Sequence, residues 1–122
     1  MIGYVTLGTN DFQRAAGFYD ALLGELGATR AMEMDTFIAW ATAPNTPMIA
    51  IIKPFDKQPA TVGNGVMVAI MVDSRDKVQA LYKKALALGG KDEGAPGERG
   101  PGFYAGYFRD LDGNKLNAFC LG

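Results

Sequence analysis

A short apolar strand followed by a capped amphipathic helix occurs twice in this chain. Residues 2–7 carry β-branched side chains and end at Gly8, after which Asn10 or Asp11 can cap a helix with apolar positions at Phe12, Ala15, Ala16, Tyr19, Leu22, Leu23 and Leu26. That spacing follows the helical period of about 3.6 residues, and Gly24 and Gly27 mark its end. Residues 66–72 repeat the strand, Asp73 or Ser74 repeats the cap, and Val78, Leu81, Tyr82, Ala85 and Leu88 form a second stripe closed by Gly89 and Gly90. Laying Tyr4 on Met67, an offset of 67 minus 4 or 63 residues, also pairs Val5 with Val68, Leu7 with Ile70, Tyr19 with Tyr82, Leu23 with Leu86 and Gly27 with Gly90. The offset is about half of the 122 residues, so the chain reads as an internal duplication.

Each copy continues into further strand patterns. In the first, residues 29–34, 37–42 and 48–53 read as strands, with Asp35 between the first two and Pro44, Asn45, Thr46 and Pro47 turning before the third. In the second, residues 103–109 and 115–120 read as strands around the hairpin turn Asp110, Leu111, Asp112, Gly113, Asn114. Residues 91–102, rich in Gly, Pro and charge, read as a loop with at most a short edge strand. The expected class is α+β, with βαβββ modules over residues 1–53 and 66–122 and a linker at 54–65. A module of about 60 residues buries little surface alone, so the two are expected to complete one domain. Alternation puts Val5, Leu7, Val68 and Ile70 under the helices and Tyr4, Thr6, Met67, Ala69 and Met71 on the inner face of a curved sheet. In the last strand Leu116, Ala118 and Cys120 face the helix, and Lys115, Asn117 and Phe119 face inside.

Composition then removes whole classes of chemistry. Lys and Arg number 12 against 13 Asp and Glu, a balance with no general pull toward nucleic acid or an anionic membrane. No apolar run approaches the roughly 20 residues needed to span a bilayer. The opening residues lack the basic stretch of a signal peptide, and the single Cys120 cannot form an internal disulfide, so a reducing cytoplasm is expected. Histidine is absent altogether. That excludes Ser–His and Cys–His nucleophile pairs, imidazole-ligated zinc or iron, and a histidine general base.

The duplicated order, the opening strand followed by Asn10-Asp11-Phe12-Gln13-Arg14-Ala15-Ala16-Gly17-Phe18-Tyr19, and the closing Tyr107-Phe108-Arg109-Asp110-Leu111-Asp112-Gly113-Asn114-Lys115 resemble the vicinal oxygen chelate superfamily. That group includes glyoxalase I, bleomycin resistance proteins and extradiol dioxygenases, and the resemblance covers essentially the whole chain. It implies a glyoxalase-like fold, a cupped mixed sheet of eight strands with helices outside, in which enzymatic members hold a divalent metal. The ligands, typically His or Gln and Glu, come from one position on the first and last strands of each module. Matched to this sequence, those positions are Tyr4, Ala50, Met67 and Asn117. They offer neither carboxylate nor imidazole, so no metal and no other cofactor is expected. With Asn117 where the resemblance implies a carboxylate, the proton-moving base of a glyoxalase-type isomerase is missing as well.

The candidate ligand-binding set is Tyr4, Trp40, Met67, Tyr107, Arg109 and Asn117, an apolar lining with a few directed polar groups. Each has a plainer alternative. Met67 and Met71 can fill gaps in a core. Arg109 can pair with a neighbouring acid instead of clamping a carboxylate or phosphate. Trp40 can belong to the core or to a dimer contact instead of stacking on a planar ligand. Asp110, Asp112 and Asn114 imitate the start of a calcium loop, but Gly113 falls too early and the chain ends before the closing Glu. The glycine-rich segments 63–65 and 97–102 lack the features of a phosphate loop, and Lys83, Lys84 and Lys91 read as a solvated face. No catalytic residue is assigned. The expected function is metal-free binding of a small, partly apolar molecule in the cupped sheet of a homodimer. The alternatives are a lactoylglutathione lyase-like lyase or isomerase with a divergent site, and a structural or regulatory dimer with no small ligand.

Overall fold

In the computed structural model, which describes residues 1–122, both helices begin where a short polar side chain caps them. The Asp11 carboxylate accepts the Arg14 amide ahead of α1 (Phe12–Gly24), and Ser74 Oγ accepts the Lys77 amide ahead of α2 (Arg75–Ala87). Each cap satisfies one donor that the first helical turn leaves unpaired. Gly27 and Gly89, at φ of 77° and 98°, then turn the chain in the left-handed region that glycine enters without strain.

The strands are β1 (Tyr4–Gly8), β2 (Thr29–Met34), β3 (Phe37–Ala41), β4 (Met48–Ile52), β5 (Val68–Met71), β6 (Lys91–Glu98), β7 (Phe103–Arg109) and β8 (Lys115–Leu121). They divide into two compact units, Met1–Val62 and Gly63–Gly122. Each unit is a βαβββ module with its own four-stranded mixed sheet, ordered β1-β4-β3-β2 in one and β5-β8-β7-β6 in the other. The eight strands therefore form two sheets of four rather than one continuous ladder. In both, the strand before the helix runs parallel to the last strand, and the remaining pairs are antiparallel. Thr6 stands opposite Ala50, and Ala69 stands opposite Asn117. Thr6 and Ala69 are themselves partners in the repeat, so Ala50 and Asn117 are equivalent positions.

In the first unit α1 buries Ala15, Ala16, Phe18, Tyr19, Leu22 and Leu23, and Leu7, Ile38, Trp40 and Ile51 are buried in the sheet beneath it. In the second, α2 buries Val78, Leu81 and Ala85, and Phe108, Leu116, Ala118 and Cys120 are buried in its sheet. Full burial of each large aliphatic or aromatic side chain contributes about 1.5–3 kcal/mol. Neither helix is long and apolar enough to cross a membrane.

Two segments depart from expectation. Residues 91–98, read as a loop with at most a short edge strand, form an edge strand of eight residues, β6, with register shifts between Asp92 and Gly94 and between Gly94 and Gly97. Gly94, Pro96 and Gly97 hide the alternation because bulges and edges are where sheets tolerate such residues. β5 begins only at Val68, leaving Val66 and Met67 ahead of the ladder. The segment after β4 also folds back on its own module. The Ala60 amide donates to Asn10 Oδ1 at 2.6 Å, and Asn10 Nδ2 donates to the Ala60 carbonyl at 3.1 Å. A Cβ at position 8 would lie 2.9 Å from the Ala60 Cβ, so Gly8 makes this approach possible.

Candidate functional site

Strand alternation puts the candidate residues Tyr4, Tyr107, Arg109 and Asn117 on the face of each sheet that points away from its helix. In the second module, Phe103, Ala105, Tyr107 and Arg109 of β7 pair with Leu121, Phe119, Asn117 and Lys115 of β8, while Ala69 and Met71 of β5 pair with Asn117 and Phe119. Strand alternation puts all of these on one face, and Tyr104 of the other face reaches the helix through its hydroxyl, which accepts Gln79 Nε2 at 2.9 Å. Tyr107, Arg109 and Asn117 are thus brought together, with Met67 just ahead of β5 and partly exposed.

Asn117 is only 1% exposed, yet its Oδ1 has no hydrogen-bond partner. Such an acceptor carries a desolvation cost of about 1–3 kcal/mol until a donor meets it. Beside it, the Tyr107 ring has two cations nearby: the Arg99 guanidinium and the Lys115 ammonium each lie 5.5 Å from its centroid. Neither is in an ion pair. Arg99 is laid across β6 by the glycines there, since a Cβ at Gly97 would come 2.8 Å from Nη1 and one at Gly94 3.3 Å from Nη2. It also donates to the Ala95 carbonyl. Arg109, which the sequence leaves open between a ligand anion and a neighbouring acid, takes an acid: its Nε donates to Glu93 at 2.8 Å and its Nη1 to the Gly113 carbonyl at 3.0 Å. Glu93 and Arg99 belong to the stretch that reads in sequence as a loop with at most a short edge strand, where no alternation assigns either side chain to a face.

In the first module, Tyr4 is 55% exposed and sets its ring edge-on to Phe37, centroids 5.7 Å apart at 83°. Phe37, Ala39 and Ala50 form an apolar cluster flanked by Met48 and Ile52. Trp40 is elsewhere. It pairs with Ile49 on the helix-facing side of β3, packs on Tyr19 at 5.7 Å and donates from Nε1 to Asp20 at 2.9 Å. Asp20 also accepts two bonds from Arg30, whose guanidinium holds the Asp20 carboxyl below its usual range. Trp40 is therefore core beneath α1 and does not share the open face with Tyr4.

The four positions that would hold a metal in related enzymes present a phenol at Tyr4, a methyl at Ala50, a thioether at Met67 and an amide at Asn117. Ala50 has no donor atom and is fully buried. Hard divalent ions are held by carboxylates, imidazoles and carbonyl oxygens in sets of four to eight, so this set does not fit one. Nowhere in the chain do three or more Cys, Asp or Glu side chains gather as a metal site.

A duplicated βαβββ module with parallel pairing of its first and last strands defines a glyoxalase-like protein. The family model for the glyoxalase/bleomycin resistance protein/dioxygenase superfamily matches residues 1–118, and the chain belongs to that superfamily. A glyoxalase/bleomycin resistance protein from Albidiferax ferrireducens is 34% identical, with a TM-score of 0.91 over 100% of this chain and 99% of that one. At 18% identity, a lactoylglutathione lyase from Agrobacterium tumefaciens superposes with a TM-score of 0.73 over 98% and 92% of the chains. A fosfomycin resistance protein from Listeria monocytogenes, 17% identical, reaches 0.74 over 100% and 93%. Among curated proteins none matches the chain.

Proposed function

We propose that this protein binds a small, partly apolar molecule on the sheet face of its second module that points away from α2, without a metal. The observation that carries the reading is the buried, unpartnered Oδ1 of Asn117. A ligand N–H or O–H placed there would regain the hydrogen bond that burial removes. Ala69, Met71, Phe103 and Phe119 supply apolar surface around it. Lys115 and Arg99, uncompensated beside Tyr107, favour an anionic group at that end of the ligand. The names of the Agrobacterium and Listeria relatives, which refer to a thiol conjugate and an antibiotic, also suit a small-molecule ligand. Their chemistry does not transfer with the fold, because function resides in the site. The exposed apolar side chains Tyr4, Met32, Met34 and Met71 support a homodimer, and the single, buried Cys120 supports a cytoplasmic location.

A thermal-shift screen over aromatic carboxylates, phosphonates and thiol conjugates tests the reading, together with metal analysis of the purified protein. At least one compound is expected to raise Tm in the wild type, with the increment reduced in Asn117→Leu and lost in Met67→Arg. Stabilisation undiminished in Asn117→Leu overturns the site. Stoichiometric nickel, zinc, iron or manganese overturns the metal-free assignment.

A further inference from the structure

The first module contains a groove of about 840 Å³ that none of the candidate residues enters. Its walls are Thr9 and Asn10 at the entrance to α1, Thr36 of the β2–β3 turn, and the chain that leaves β4 from Ile52 to Pro59. That chain is tied at both ends. The Lys53 amide donates to the Thr36 carbonyl at 2.9 Å, and Ala60 is held by the paired bonds to Asn10. Between the ties, the Lys57 amide donates to the Pro54 carbonyl, and Asp56 Oδ1 accepts the Gln58 amide, so the span is an ordered turn.

Two properties of the groove point to one kind of ligand. Lys53 and Lys57 line it, neither is in an ion pair, and no carboxylate is among its walls. The Lys53 ammonium instead rests 5.3 Å from the centroid of the Phe12 ring. Lys57 is one of only two residues besides glycine with positive φ, at 63°, a conformation that a lysine rarely adopts. Beside these cations, Phe55 presents its ring wholly to solvent between Pro54 and Pro59, with Ile52 also lining the groove. A fully exposed phenylalanine next to two unpaired ammonium groups is complementary to a flat apolar body carrying negative charge.

We infer that this groove is a second small-molecule site, which takes an aromatic anion of the aryl carboxylate or aryl phosphate class. The apolar body lies against Phe55 and Ile52, and the anion meets Lys53 and Lys57. The site is independent of Asn117 and of the ligand proposed for the second module.

Amide chemical-shift mapping of the full-length protein with phenyl phosphate is the test, with benzyl alcohol as the neutral comparison. Saturable shifts are expected at the amides of Thr9, Asn10, Ile52, Lys53 and residues 55–58, with benzyl alcohol binding more weakly. Lys57→Gly is the informative variant, because glycine accepts the positive φ and keeps the turn while removing the charge. It should weaken phenyl phosphate about fivefold and leave benzyl alcohol unchanged. Phe55→Ser should weaken both. Unaltered phenyl phosphate binding in Lys57→Gly, or no saturable shift at all, overturns the inference. Shifts centred on Tyr107, Lys115 and Asn117 also overturn it, while leaving the second-module reading intact.

Discussion

Asn117→Leu should stabilise the free protein and weaken its response to ligand. The side chain is 1% exposed with an unpaired Oδ1, and relieving a buried acceptor of that kind returns about 1–3 kcal/mol. Leucine is branched at the same carbon and somewhat larger, and the imperfect fit takes back about 1 kcal/mol. The net gain is on the order of 1 kcal/mol, worth about 3–4 °C in Tm for a chain of this size. With a urea m-value of about 1–2 kcal/mol/M, the unfolding midpoint should rise by about 0.5–1 M. The equivalent position in the first module is the fully buried Ala50, so one copy of this sheet already carries an apolar side chain there. Ligand response runs the other way. At a hundredfold excess over the wild-type Kd the wild type should gain about 2.7 kcal/mol, and the leucine variant, its Kd raised about 5- to 150-fold by loss of the bond, about 0.3–1.8 kcal/mol. Urea unfolding followed by circular dichroism, with and without the best ligand of the screen, measures both effects. A leucine variant less stable than wild type by more than about 1 kcal/mol would refute the reasoning, because the amide would then be making bonds that hold the fold.

Three further outcomes follow from the packing. Trp40→Phe removes the Nε1 bond to Asp20 and leaves a gap under α1, so urea unfolding should show a loss of about 1–3 kcal/mol with second-module ligand binding unchanged. Gly90→Ala would set a Cβ 2.7 Å from the Arg109 carbonyl oxygen and 2.8 Å from that of Ala85. Since backbone cannot yield easily, a cost of about 1–3 kcal/mol is expected from the same assay. Asp20, held below its usual range chiefly by Arg30, contributes stability that is complete above the unfolded carboxyl value of about 3.9 and disappears as pH falls through the lower folded value. Acid titration of stability should therefore show a steeper fall in the wild type than in Asp20→Asn as the pH drops below about 4.

The faces of β1 and β8 were legible in sequence because their alternation is clean, and the structure indeed buries Leu7, Leu116 and Cys120 beneath helices. β3 is different. Phe37, Ile38, Ala39 and Trp40 are all buried, so an apolar run of four contains no period from which to choose a face. The sequence therefore leaves Trp40 open between a ligand, the core and a dimer contact, and its direction is settled by pairing with Ile49 and by the Asp20 carboxylate arriving from α1. Arg109 shows the same limit for charge. Its neighbour Asp110 is spent inside the hairpin turn, accepting the amides of Asp112 and Asn114, and the acid that meets Arg109 is Glu93, brought across by a bulged β6.

The sequence by itself determined the duplication, the two capped helices, the closing hairpin and the absence of imidazole and carboxylate at the metal positions. These are local matters: period, cap chemistry, turn residues and the identity of single side chains. Tertiary structure alone decided that the weakly marked strand runs over residues 91–98 with two register shifts, that Arg99 lies over Tyr107, and that Asn117 is enclosed with its oxygen unpartnered. It also decided that the chain after β4 folds back to form a groove. Each of these depends on groups distant in sequence arriving at one place, and bulges, pairing register and desolvation exist only once they have done so.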